Sequence, residues 1–180
     1  SRCLSCGHEL ALYDLIPVFS WVISLGRCRY CKQFIGWMEI LLEVVMAGLF
    51  VLSVVFWPGS LMDSWQVILL SLWLVGLVLL AILFVYDLKW LLLPDVINIP
   101  FIIVGVIFAA LRLSLAEDFS KNLTSLLGSI VILSGVYMLL YLFSKYRYGE
   151  DKTWVGFGDV KLGLGLSLFL GNWLLAFAAL

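Results

Sequence analysis

All four cysteines of this 180-residue chain fall within its first 31 positions, as Cys3-x2-Cys6 and Cys28-x2-Cys31 with 21 residues between the pairs. Two pairs of this spacing, each on a tight turn, suit a chain that wraps four thiolates tetrahedrally around Zn²⁺. The segment is too short to bury a core, and metal ligation supplies folding free energy directly in such cases. A closed four-Cys site has no open coordination position, so the zinc expected on Cys3, Cys6, Cys28 and Cys31 is structural and not catalytic. Two disulfides and an iron–sulfur cluster fit the same spacing. His8, the single histidine, reads as a solvated surface residue.

A second chemistry rests on carboxylates. Asp87 closes one apolar run and Asp159 opens another, at depths where ionisable groups are costly and more often functional than incidental. Gly156 and Gly158 precede Asp159 in Gly156-Phe157-Gly158-Asp159-Val160-Lys161, and their missing side chains let another backbone approach closely. Gly163, Ser167 and Gly171 follow Asp159 at helical spacing, a row of small residues that places Asp159 on the face meeting other helices. Two inward aspartates on one side suggest a shared-proton pair, in which one carboxyl acts as general acid while the other activates water. The plainer alternative is a pair of interfacial charges at helix ends. Asp95, just after Pro94, reads as a helix cap. Glu39 and Glu43 lie four apart on the first span, and the deeper Glu43 must face protein, water or a cation.

These residues need elements that hold them, and composition says which. The chain is 64% hydrophobic and 13% charged, with a mean hydropathy of +1.13 and a net charge of −1. Such numbers exclude disorder and a strongly basic nucleic-acid-binding face, and they describe an all-α polytopic membrane bundle. Five apolar runs approach the ~20 residues that a bilayer core requires: Trp37–Trp57, Trp65–Tyr86, Val96–Leu115, Asn122–Phe143 and Val160–Leu180. Residues 1–36 form the cytoplasmic zinc segment and 37–180 the membrane bundle. With alternating spans, nine of the eleven Lys and Arg residues fall on one side and only Arg112 and Lys121 on the other, which makes the rich side cytoplasmic. The chain opens on Ser1-Arg2-Cys3 and closes within an apolar run, so both ends read as limits of a fragment of a longer membrane protein.

The combination resembles the bacterial type IV prepilin peptidases, membrane aspartic proteases of the Gly-x-Gly-Asp kind. The resemblance is carried by Cys3 to Cys6, Tyr13-Asp14-Leu15-Ile16-Pro17 and Gly26 to Lys32, by Asp87 through Leu93-Pro94-Asp95, and by Gly156 through Leu162. It implies an inner-membrane endopeptidase with Asp87 and Asp159 catalytic. Gly156, Gly158, Lys161 and Glu43 are in supporting or substrate-binding positions. The implied substrates are type IV prepilins or pseudopilins of pilus and type II secretion systems, cut at the cytoplasmic boundary between basic leader and hydrophobic helix. It also implies N-methylation of the new N-terminus with S-adenosylmethionine. The family's Arg-Tyr-Pro run before the first span is replaced by Met38-Glu39-Ile40, and its leading transmembrane helix and later helices are missing.

A rival reading is a non-enzymatic zinc-ribbon transporter or assembly factor that uses the aspartates as a cation or proton relay. It requires polar residues through the membrane thickness, and the second and fifth runs have almost none at their centres.

Overall fold

The computed structural model describes residues 6–9, 19–34, 37–148 and 156–180. Their regular elements are helical, with no strand among them; Arg27 and Phe34 form an isolated antiparallel bridge. The chain divides into two compact units, Ser1–Phe56 and Trp57–Leu180.

The first unit carries a short α1 (Phe19–Ile23) and the 19-residue α2 (Trp37–Val55). Gly26 has φ +70, and a Cβ there would stand 2.8 Å from Trp21, so the turn after α1 closes directly on that indole. Trp21 packs in turn on Trp37, with ring centroids 4.5 Å apart.

The second unit contains α3 (Ser64–Trp90), α4 (Asp95–Ser114), α5 (Phe119–Ile130), a π-helical turn at Val131–Gly135, α6 (Val136–Tyr148), α7 (Phe157–Leu170) and α8 (Trp173–Ala178). Asp63 caps α3 by accepting the Trp65 N–H at 3.3 Å. The helix runs four residues beyond the expected Tyr86, so Asp87 sits within its last turn. It stops where Leu91 turns left-handed (φ 49) and donates its N–H to the Asp87 carbonyl at 2.8 Å. Pro94 then forbids helix for the residue before it, so Leu92–Pro94 is an extended link and α4 starts afresh at Asp95. The N-cap of α4 is Pro94 itself, which corrects the reading of Asp95 as the cap.

Among the described residues, three helical stretches are long and apolar enough to cross a bilayer: Ser64–Trp90, Asp95–Ser114 and Phe119–Arg147. Large apolar side chains such as Val67, Val75, Ile82, Ile103 and Leu139 remain exposed on them, an outer surface suited to lipid. The chain is a multi-pass membrane protein.

The run Val160–Leu180, expected as one span, is two helices. Gly171 is left-handed (φ 56) and closes α7 by donating to the Ser167 carbonyl at 2.9 Å; Asn172 then caps α8 by accepting the Leu174 N–H at 2.9 Å. Glycine at the left-handed position and asparagine at the cap are the paired stop and start signals, and they outweigh an unbroken apolar composition. The 14 residues of α7 span about 21 Å at 1.5 Å per residue, less than a bilayer core.

That short helix is the centre of the bundle. Val160, Gly163, Gly165, Ser167, Leu168 and Phe169 are all buried. Phe169 meets Phe101, Phe108 and Trp73 at centroid distances of 5.2, 5.3 and 6.0 Å. Glycines make room: a Cβ on Gly165 would lie 2.5 Å from the Phe101 ring, and one on Gly76 would collide with Phe169. On another face Gly163 lies against the Leu133 carbonyl in the π turn, where a Cβ would come within 3.2 Å of the oxygen. Ser129 donates to the Ser167 carbonyl at 3.1 Å and Ser134 to the Val160 carbonyl at 3.4 Å. Small residues and serine hydroxyls facing backbone are how membrane helices come close without a hydrophobic driving force.

Candidate functional site

In the N-terminal unit the ligand atoms of Cys6, Cys28 and Cys31 all lie within 4.8 Å of one another. The Cys28 N–H donates to the Gln33 carbonyl at 2.8 Å and the Lys32 N–H to the Cys28 carbonyl at 2.9 Å. Lys32 is left-handed (φ 59), so the chain folds back sharply after Cys31 and brings the Gln33 carbonyl to the Cys28 N–H. Thiolates sharing one tetrahedral metal at ~2.3 Å stand about 3.8 Å apart, close to this grouping. The donor set therefore fits a thiophilic metal. Cys28 is buried at 3% exposure, whereas Cys6 is exposed. The His8 ring lies against that of Tyr30, with centroids 3.7 Å apart and the planes tilted by 36°, and is not part of the cluster. Cys3 lies outside the described residues. Glu43 is half-buried on α2 of this same unit.

In the second unit, two sequence-distant segments meet. Gly156 caps α7 and Asp159 is in its first turn, where the Gly156 N–H donates to Asp159 Oδ2 at 2.9 Å. A carboxylate there is also favoured by the positive end of the helix dipole. Gly158 packs on the link after α3: a Cβ would stand 2.9 Å from the Leu93 Cβ. Asn98 Nδ2, from the first turn of α4, donates to the Gly158 carbonyl at 3.1 Å. Lys161 Nζ pairs with Asp95 Oδ1 at 2.7 Å and lies 5.2 Å from the centre of the Phe157 ring. At the far end, Arg112 Nη1 donates to the Leu170 carbonyl at 3.2 Å. Contacts near both ends thus set α4 and α7 parallel and side by side.

The last turn of α3, with Asp87, and the first turn of α7, with Asp159, therefore flank one end of the bundle. Asp87 is exposed and Asp159 half-buried. Gly158 contacts the α3–α4 connection and Lys161 the first residue of α4, and Gly156 holds the Asp159 carboxylate. Sequence reasoning missed Asn98, whose signal was an amide interrupting an apolar run one turn after a proline, and it missed the reach of Asp95 across to Lys161.

A family model described as Type IV leader peptidase family matches residues 74–180, and one described as Bacterial Peptidase A24 N-terminal domain matches residues 1–57. The chain belongs to the type IV leader peptidase family. The first match contains the whole second-unit site, from Asp87 to Lys161, and the second contains the cysteine cluster. Among curated relatives, a prepilin leader peptidase/N-methyltransferase of Pectobacterium carotovorum subsp. carotovorum is 32% identical over 95% of this chain and 56% of its own length. Proteins of the same description from Dichelobacter nodosus (29%, 97% of this chain, 56% of that protein) and Burkholderia pseudomallei strain 1026b (28%, 95%, 50%) are similar to it. The chain spans about half the length of the curated relatives it matches. No solved structure matches it.

Proposed function

We propose that the chain carries the proteolytic site of a prepilin leader peptidase, with Asp87 and Asp159 as its two reacting carboxyl groups. The observation that carries this reading is the docking of the Gly156–Lys161 segment on the link that follows Asp87 and on the start of α4, through Gly158 on Leu93 and Lys161 on Asp95. In the reaction one carboxylate takes a proton from a water molecule as the water attacks the scissile carbonyl. The other carboxyl gives a proton to the departing amine. A dyad at one end of a membrane bundle suits a peptide bond at the membrane boundary, between a basic leader and the hydrophobic helix of a type IV prepilin or pseudopilin. The positive-charge asymmetry of the sequence supports placing that end, and the cysteine segment, on the cytoplasmic side of the inner membrane.

Zinc, held by Cys6, Cys28 and Cys31 with Cys3 as the fourth thiolate, would supply folding free energy to a segment otherwise too short to hold its turns. N-methylation of the cleaved product rests on the relatives' names, with S-adenosylmethionine as donor.

The test is incubation of the purified protein in detergent with a synthetic prepilin, followed by mass measurement. Loss of the leader mass establishes the protease, and a further gain of one methyl establishes the second activity. An uncut substrate under conditions where the protein stays folded overturns the reading.

A further inference from the structure

Asn98 is fully buried in the first turn of α4, and its two polar atoms are treated unequally. Nδ2 donates to the Gly158 carbonyl at 3.1 Å, while Oδ1 is buried with no hydrogen-bond partner. An unpaired buried acceptor costs about 1–3 kcal/mol, so packing alone would favour an apolar side chain of the same size. What the amide provides is a donor aimed at one carbonyl. That carbonyl belongs to the peptide joining Gly158 to Asp159, and its direction sets how Asp159 enters the first turn of α7. Other contacts hold the same turn from different sides. Gly158 rests on Leu93, and Asp159 Oδ2 is held by the Gly156 N–H.

We propose that Asn98 is a positioning residue, whose buried amide fixes the Gly158–Asp159 peptide and thereby the aim of the Asp159 carboxyl. The proposal rests on Asp159 being a reacting group, and its test separates the two ideas. Gly158-Asp159 is the sole Gly-Asp step in the sequence, so glycine labelled at ¹³C′ combined with aspartate labelled at ¹⁵N reports this one peptide by nuclear magnetic resonance. In Asn98→Leu the Gly158 carbonyl resonance is expected to move upfield as its hydrogen bond is lost. The melting temperature should stay near that of the wild type, because the orphaned oxygen leaves with the amide. Prepilin cleavage should lose about 10–100-fold in kcat at little-changed KM, the scale on which a misaimed catalytic group acts.

An unmoved resonance, or a moved resonance with wild-type kcat, overturns the proposal. If the leucine variant does not fold, Asn98→Ala removes the same donor without adding bulk. It is expected to move the resonance and lower kcat as the leucine variant does, and an alanine variant with an unmoved resonance or wild-type kcat overturns the proposal too. A wild-type protein that leaves prepilin uncut overturns the protease reading, and the catalytic sense of the positioning with it. The carbonyl resonance still decides whether Asn98 holds the turn.

Discussion

Lys161 Nζ stands 2.7 Å from Asp95 Oδ1, a charge pair that joins positions 66 apart in sequence and ties the start of α7 to the start of α4. The side chains are 26% and 57% exposed, so the pair contributes at most about 1 kcal/mol to stability. Its larger effect is on register. With Arg112 on the Leu170 carbonyl at the opposite end, it keeps the two helices from sliding along each other.

Replacing Lys161 by Gln, or Asp95 by Asn, is therefore expected to lower stability in detergent by less than about 1 kcal/mol. The double variant should lose less than the sum, because one interaction is removed twice. Thermal unfolding of the four proteins in the cycle measures the coupling, and strict additivity would show that the pair does not form.

Asp87→Asn and Asp159→Asn should each reduce prepilin cleavage by about 10²–10⁴-fold while the protein still folds and inserts. Product mass over time in detergent, with helicity measured by circular dichroism, separates lost chemistry from lost structure. Wild-type cleavage by either variant removes that aspartate from the reaction.

The glycines divide by what faces them. Gly165→Ala puts a Cβ 2.5 Å from the Phe101 ring and should destabilise by about 1–3 kcal/mol, as overpacked cores do. Gly163→Ala meets the Leu133 carbonyl, and backbone yields less readily than a side chain. Gly48→Ala meets nothing within 4 Å on α2 and should be neutral or stabilising by up to about 1 kcal/mol. Melting temperatures that failed to rank Gly48 above Gly163 and Gly165 would contradict this packing of α7.

Purified protein is expected to hold one zinc per chain, measured by atomic emission. Cys28→Ser should release it, because Cys28 is the buried member of the cluster and a neutral hydroxyl is a poor substitute for a thiolate. Loss of the metal should expose the first 31 residues to protease while leaving the helices of the second unit protected. Metal retained at wild-type stoichiometry in Cys28→Ser would remove this residue from the ligand set.

Helical class, membrane setting and family were all legible in the sequence because their signals are local. An apolar run of membrane length is helical wherever it sits, since hydrocarbon offers its backbone no other partner. Pro94 stops a helix by its own ring, and the cysteine spacing and the Gly-x-Gly-Asp turn are visible without coordinates. The third run agrees with α4 to within one residue at each end. The break at Gly171-Asn172 was encoded just as locally, but it was concealed by the apolar residues on both sides.

Tertiary structure decided which polar residues find each other. Asp95 looked like a cap because a carboxylate after a proline commonly is one; its partner Lys161 is chosen by the parallel packing of α4 and α7, which no local pattern contains. Asn98 drew no reading from the sequence, because its partner, the Gly158 carbonyl, lies on another helix. The physical reason is the same in both cases. Backbone conformation is set by neighbours along the chain, whereas a polar side chain takes whatever partner the packing brings to it.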